Sequence, residues 1–331
     1  MNIVTKFFRT TVAGPLAAFL LVAFIATLST NRFLMVQNLS NVSLQVATVA
    51  VVAIGATLVI LTGGIDLSPG STVALVCCTL AILVKNMGLP LAVGIFLVLL
   101  LGIVLGFVNG FFSAYGKIPS FIVTLATMSI YRGLAFLITN GTPIFSVSPA
   151  LEPLFYGRFL GIPHPFYYVV ILYALGAIFL GRTIPGRAIY AIGGNESAAR
   201  LTGIQVNRTR LMAFVISGFT AAIGGVLLTA WLNSGSPNYG ADLGLQSIAA
   251  AVIGGASLVG GYGSMIATLF GALTVAVVQN GLNLRAVPAS WQEITLGAVI
   301  ILAVGLDMWR SNIGRGIGRL FRTTEGKSSG S

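Results

Sequence analysis

Asp66 is the residue of this chain best placed to do chemistry. It sits in G-G-I-D-L-S-P-G-S (Gly63 to Ser71), between the apolar runs Leu44–Leu61 and Ser71–Val84, with the hydroxyls of Ser68, Ser71 and Thr72 nearby in sequence. An unpaired charge there is costly in a bilayer and needs a local reason. One reason is a proton or sodium site of an ion-coupled carrier, which also needs a partner or a coordinating polar cluster. The simpler one is capping. A helix starting at Pro69, with Ser68 at its N-cap, would place the carboxylate near free N–H groups and the positive helix end.

Other chemistries find no residues. The chain has no G-x-x-x-x-G-K-[ST] phosphate cradle, and its single histidine, His164, falls in a loop and supports neither H-E-x-x-H nor a Ser-His-Asp set. Cys77 and Cys78 are adjacent in an apolar run, which suits buried thiols and excludes a spaced metal site or a disulfide framework. No catalytic residue and no metal site is expected. Asn109, Gln279, Asn280, Asn283 and Glu293 could hydrogen-bond a polar solute, and bonding between helices explains them equally well. Arg132 lies inside an apolar run, where it must snorkel or pair.

The elements that position these residues follow from composition. The 331 residues are 56% hydrophobic and 8% charged, with a mean hydropathy of +0.97, so the chain is expected to be an all-α polytopic membrane protein. Continuously apolar runs argue against a barrel. Expected spans are Val12–Leu28, Leu44–Leu61, one from about Pro69, Leu89–Phe112, Phe121–Ile138, Phe166–Leu180, Leu211–Ala230, Met265–Leu282 and Trp291–Met308. Ile248–Val259 is too short to cross as a straight helix and reads as a broken or re-entrant segment. The excess of 18 Lys+Arg over 7 Asp+Glu concentrates in Arg182–Arg210 and after Met308, which the positive-inside rule makes cytoplasmic, with both termini inside and about ten segments in all. Basic charge of this kind does not imply nucleic acid. Residues 1–310 form one membrane domain with a cytoplasmic loop at 182–210, and 311–331 a basic, disordered cytoplasmic tail.

Two further patterns stand out. Gly254–Ser264 (G-G-A-S-L-V-G-G-Y-G-S) repeats the punctuation of Gly63–Ser71, and each is followed by an Asn-Gly pair and a proline, Asn109-Gly110 with Pro119 and Asn280-Gly281 with Pro288. Interrupted apolar segments at matching positions are a pointer to a transporter pathway. In the basic loop, Gly193 and Gly194 break the chain, Asn195 can cap, and Ser197–Leu201 can form a short helix ended by Gly203, suited to docking in a groove on a soluble partner.

Four stretches together, G-G-I-D-L-S (Gly63–Ser68), K-I-P-S-F-I-V-T-L-A-T-M-x-x-x-R-G (Lys117–Gly133), A-I-G-G-N-E-x-A-A-R-L-x-G-I (Ala191–Ile204) and A-A-x-V-I-G-G-x-S-L-x-G-G (Ala249–Gly261), resemble one family. It is the inner-membrane permease subunits of bacterial ribose-type ABC importers, which also serve xylose, arabinose and galactose. The likeness covers nearly the whole chain and is nearest to ribose permeases.

The resemblance implies a permease dimer, two cytoplasmic ABC ATPase subunits that bind the ATP and magnesium, a periplasmic sugar-binding protein and a monosaccharide substrate, with no cofactor on this chain. It makes Gly193, Gly194, Asn195, Glu196, Ala198, Ala199, Arg200 and Gly203 the coupling segment to the ATPase. Candidates for the pathway and its helix breaks are Asp66, Ser68, Asn109, Phe121, Thr124, Gly254, Gly255, Gln279, Asn280 and Asn283. An ion-coupled secondary carrier for a small polar solute is the alternative. One departure is visible: where the family carries acidic E-L-D, this chain has Gly244, Leu245 and Gln246, with Asp242 slightly earlier, which leaves docking details and homo- or heterodimer open.

Overall fold

The computed structural model describes residues 12–299 together with 301, 302 and 305. The protein is a helical bundle. In chain order the helices are α1 (Ala13–Ser29), α2 (Val36–Leu61), α3 (Pro69–Ala81, continued by a π turn Ile82–Asn86), α4 (Leu91–Ala114) and α5 (Ser120–Thr139). After these come α6 (Glu152–Tyr156), α7 (His164–Arg182), α8 (Ile184–Gly194), α9 (Glu196–Leu201), α10 (Val206–Leu232), α11 (Leu243–Ile253) and α12 (Met265–Leu284). Residues 289–299 are helical as well.

Seven of these, α2, α3 with its π turn, α4, α5, α7, α10 and α12, are long and apolar enough to cross a membrane, and α1 and α11 are apolar but shorter. The chain is an all-α polytopic membrane protein. The expected last span, Trp291–Met308, lies partly outside the described residues, as does the basic tail.

α2 and α10 form the buried centre, and α4, α5 and α7 turn most of their apolar surface outward, as lipid-facing helices do. α4 reaches α10 through its glycines: a methyl group at Gly102, Gly106 or Gly110 would overlap Gly218, Phe214 or Leu211 of α10. Without a side chain in the way the two backbones pack directly, which is how helices associate where lipid is as apolar as leucine.

Helix α2 starts at Val36, eight residues ahead of the expected Leu44, because its polar first turns are paired inside the bundle. Asn38 is buried, and its amide exchanges two hydrogen bonds with Asn280 of α12, each 2.9 Å. Asn280 is therefore a clasp between helices. Replacing Asn280 by leucine is expected to destabilise the protein by about 1–2 kcal/mol, because the Asn38 Oδ1 and one of its amide hydrogens lose their partners while its bond to the Phe33 carbonyl remains, and the double replacement to recover part of that loss. Thermal unfolding of the two single variants and the double variant in detergent checks this.

The segment between α5 and α7 is tied by short ladders. β1 (Ile144–Phe145) pairs antiparallel with β4 (Ser234–Gly235), and β2 (Arg158–Phe159) with β3 (Ile162–Pro163). His164 belongs to this framework, its Nδ1 lying 2.8 Å from the Pro153 carbonyl oxygen.

Candidate functional site

After α2 the chain runs without regular structure through Gly63–Ser68 before α3 begins. The backbone polar groups of this break need partners, and α5 supplies them. The Ile65 N–H donates to Ser120 Oγ (3.0 Å), and Thr124 Oγ1 donates to the Ile65 carbonyl (3.2 Å). Thr124, one of the candidates for the pathway and its helix breaks, is buried and straps the break.

Asp66 is buried, only 3% exposed, and held by three donors. Oδ1 accepts the Ser68 N–H (3.0 Å) and hydroxyl (2.7 Å), and Oδ2 accepts the Ser217 hydroxyl of α10 (2.8 Å). Ser68 occupies the N-cap position of α3 but makes no side-chain cap bond. This corrects the Ser68 part of the capping expectation, since its hydroxyl donates to Asp66 and not to the first turn, whereas the carboxylate does accept a backbone N–H at the helix start, that of the N-cap residue Ser68. The chain of bonds continues from Asn109 Nδ2 to Ser68 Oγ (2.7 Å) and from Thr127 Oγ1 to Asn109 Oδ1 (2.7 Å). Asp66, Ser68 and Asn109 thus form one buried network joining α3, α4, α5 and α10. Ser217 and Thr127 were not singled out from sequence, because nothing local marks a serine as the partner of an acid 151 positions away.

The glycine pairs meet at one point. A methyl group on Gly193, near the end of α8, would overlap the Leu61 carbonyl oxygen at the end of α2 and the Gly261 N–H. Gly261 itself donates to that Leu61 carbonyl (3.0 Å), and Tyr190 of α8 donates its hydroxyl to the Gly263 carbonyl (2.9 Å). The ends of α2 and of α8 and the stretch between α11 and α12 are therefore in backbone contact. Gly63 and Gly255, each just past the end of its helix, both adopt positive φ, +76° and +79°, a conformation that glycine takes without strain. Gly254 packs against α12, where a methyl group would come within 2.6 Å of Thr268 Cα.

The basic segment is more ordered than a loop with one short helix. Thr183 caps α8 by accepting the Gly186 N–H (3.1 Å). Asn195 caps α9 by accepting the Ala198 N–H (2.9 Å), and Gly203 follows with φ +83°. Ala199 is buried against Ile192 and Val206, which fixes α9 on α8 and α10. Glu196 accepts from Arg200 (3.0 Å) and Arg210 (2.9 Å). These residues border a cavity of about 460 Å³ that also touches Gly63, Gly64, Lys117 and Phe121. Ala198 and Leu201 are left on the surface, Leu201 89% exposed.

The hydrogen bond from Arg210, aided by Arg200, holds the Glu196 carboxyl below its usual value of 4.5. A depressed folded-state value means that the tether is complete above the ordinary glutamate range and is lost as pH falls through the depressed value. The protection of the amides of residues 196–203 against hydrogen exchange, taken relative to the intrinsic rate at each pH, is expected to fall below pH 4.5 in the native chain and to stay constant there in Glu196→Gln.

The second cavity, about 530 Å³, lies toward the other end of the bundle, with Thr48 about 20 Å along α2 from Leu61 at 1.5 Å per residue. Gln279 and Asn283, one turn apart on α12, face it together with Gln45, Thr48, Gln246 and Trp231. Gln246, noted as a departure from the family pattern, is thus a wall residue. Arg132 pairs with neither Asp66 nor Glu293. Its guanidinium donates to the Pro237 carbonyl (2.7 Å) and holds the loop at the cavity rim.

Residues 38–304 match the family described as "Branched-chain amino acid transport system / permease component". The chain belongs to this permease family. Among its relatives, the ribose import permease protein RbsC of Haemophilus influenzae is 40% identical over 296 residues, covering 88% of this permease and 91% of the relative. RbsC of Bacillus subtilis is 40% identical over 300 residues, covering 90% and 93%. The xylose transport system permease protein XylH of Escherichia coli is 35% identical over an aligned length of 354, covering 88% and 90%. No solved structure matches the permease.

Proposed function

We propose that this permease is the membrane-spanning subunit of a bacterial ABC importer for a monosaccharide of the ribose or xylose type. The relatives named for those two sugars, alike along nearly the whole chain, support the substrate class. The observation that carries the mechanism is the contact of Gly193 with both the end of α2 and Gly261. A push on α8–α9 from a soluble partner reaches both helix breaks in one step, with no flexible side chain between. The exposed Leu201 and Ile184 give such a partner apolar contact area.

In this reading α8 and α9 are the coupling segment, on the cytoplasmic side, and the partner ATPases bind ATP and magnesium. Ten segments cross or enter the inner membrane, α1, α11 and the last helix joining the seven long ones, and both termini are cytoplasmic. The matched positive-φ glycines after α2 and α11 support an internal repeat whose two breaks lie on the same side. A second permease subunit completes the pathway, and a periplasmic binding protein delivers the sugar. The ion-coupled alternative is disfavoured by the hydrogen bonding of Asp66, whose two oxygens accept three donors from within the protein.

The purified permease is expected to hydrolyse no ATP by itself and to acquire ATP-dependent sugar transport only with its ATPase and binding protein. ATP hydrolysis by the permease alone would overturn this assignment.

A further inference from the structure

Threonines in the helices of this permease generally return their hydroxyl to the backbone: Thr57, Thr139, Thr229 and Thr274 each donate to the carbonyl four residues earlier. Thr48 does not. It is 2% exposed, and its Oγ1 is buried with no hydrogen-bond partner among the described residues. A buried polar atom left unmatched in a native protein calls for an explanation. Thr48 lines the 530 Å³ cavity described above.

The walls of that cavity mix amides, from Gln45, Gln246, Gln279 and Asn283, with the apolar Val49, Leu228 and Leu243, and among the described residues Asp242 is the one charged group lining it, with no lysine or arginine. Amide groups offer donors and acceptors side by side, which matches the hydroxyls of a polyol. Without a cation, nothing compensates a phosphate or carboxylate. Trp231 adds an aromatic wall, held in place by stacking on Phe155 at a centroid distance of 5.7 Å. The volume falls within the range of roughly 300–1,000 Å³ typical of small-molecule sites. Interhelical glue explains paired amides such as Asn38 and Asn280. It leaves Thr48 unexplained.

We infer that this cavity is a subsite, built within a single permease chain, that takes a neutral polyhydroxylated sugar on its Gln246 and Gln279 amides, the entering sugar displacing the wall groups that cover the Thr48 hydroxyl and supplying its missing partner. The subsite rests on the importer reading above and adds to it a place where the sugar is held.

The isosteric replacement Thr48→Val makes the test selective, because a hydroxyl that bonds to no protein group contributes nothing to the fold. The complete importer, comprising permease, ATPase and binding protein, is reconstituted in proteoliposomes and supplied with labelled D-ribose and, separately, D-xylose. Thr48→Val is expected to keep or raise the melting temperature and to lower ATP-driven uptake about five- to tenfold, the value of one hydrogen bond. Thr48→Ser, which retains the hydroxyl, is expected to stay within about twofold of wild type, and Gln279→Leu to lose uptake about as much as Thr48→Val. Unchanged uptake in both Thr48→Val and Gln279→Leu would overturn the subsite, as would an uptake loss that only follows a fall in melting temperature. If the assembled wild-type importer moves neither sugar with ATP, the importer reading itself fails and the subsite with it.

Discussion

Gly193→Ala is expected to reduce ATP-driven sugar uptake by about tenfold or more, whereas Gly194→Ala leaves uptake near wild type. The two neighbours differ in what surrounds them. A methyl group on Gly193 would overlap the Leu61 carbonyl oxygen and the Gly261 N–H, whereas one on Gly194 meets nothing within 4 Å. Overlap with a flexible side chain is relieved by a rotamer change, but here both obstacles are backbone. Relief requires α8 to move away from the end of α2, at a cost of about 1–3 kcal/mol for overpacking of this kind. If α8 transmits motion from the ATPase, that displacement uncouples ATP hydrolysis from transport. Uptake per ATP hydrolysed, compared across wild type and the two variants, separates uncoupling from simple loss of protein. Equal coupling ratios in Gly193→Ala and Gly194→Ala would remove the junction from the mechanism.

Asp66→Ala is expected to be the most destabilising replacement in the bundle, by about 3 kcal/mol or more. It strands the Ser68 N–H, the Ser68 hydroxyl and the Ser217 hydroxyl in a buried site, and a hydrogen bond to a charged group contributes about 1.5–3 kcal/mol. Asp66→Asn keeps the shape and one acceptor, and the Ser217 hydroxyl can turn to accept from the new amide, so a loss of about 1–2 kcal/mol is expected. The pair of variants also separates two roles for the acid. An acid that holds the helix break tolerates asparagine, with ATP-driven uptake largely retained in protein that folds. An acid that carries an ion does not. Thermal unfolding and uptake measured on the same preparations decide between them.

Much of this was legible in the sequence where the signal is local. Apolar runs located the helices, Pro69 the start of α3, and Asn195 with Gly203 the two ends of α9. What sequence missed depends on distant partners. Polar residues at the head of α2 looked like loop because the Asn38–Asn280 clasp spans 242 positions. Helix α8 was hidden because I-P-G-R-A-I-Y-A-I-G-G mixes glycine and arginine into a short stretch, and only the Thr183 cap hinted at its start. Alignment of the two glycine motifs set Gly254 and Gly255 against Gly63 and Gly64, but the positive-φ glycine past each helix end is Gly63 in one and Gly255 in the other, one residue out of register with that alignment because Gly254 is itself the last residue of its helix end, at φ −66°. The pair that touches α8, however, is Gly260 and Gly261. The site candidates separated in the same way: Gln279 and Asn283 face a cavity, Asn280 between them is turned to α2, and Asp66, Ser68 and Asn109 satisfy one another.

The most direct test of the central claim is sugar accumulation by proteoliposomes holding the complete importer, with ATP supplied to the ATPase side. Labelled D-ribose or D-xylose is expected to accumulate with ATP, to stop when ATP is replaced by a non-hydrolysable analogue, and to be indifferent to collapse of proton and sodium gradients. Accumulation that runs on an ion gradient without ATP would contradict the account and return Asp66 to the centre of the mechanism.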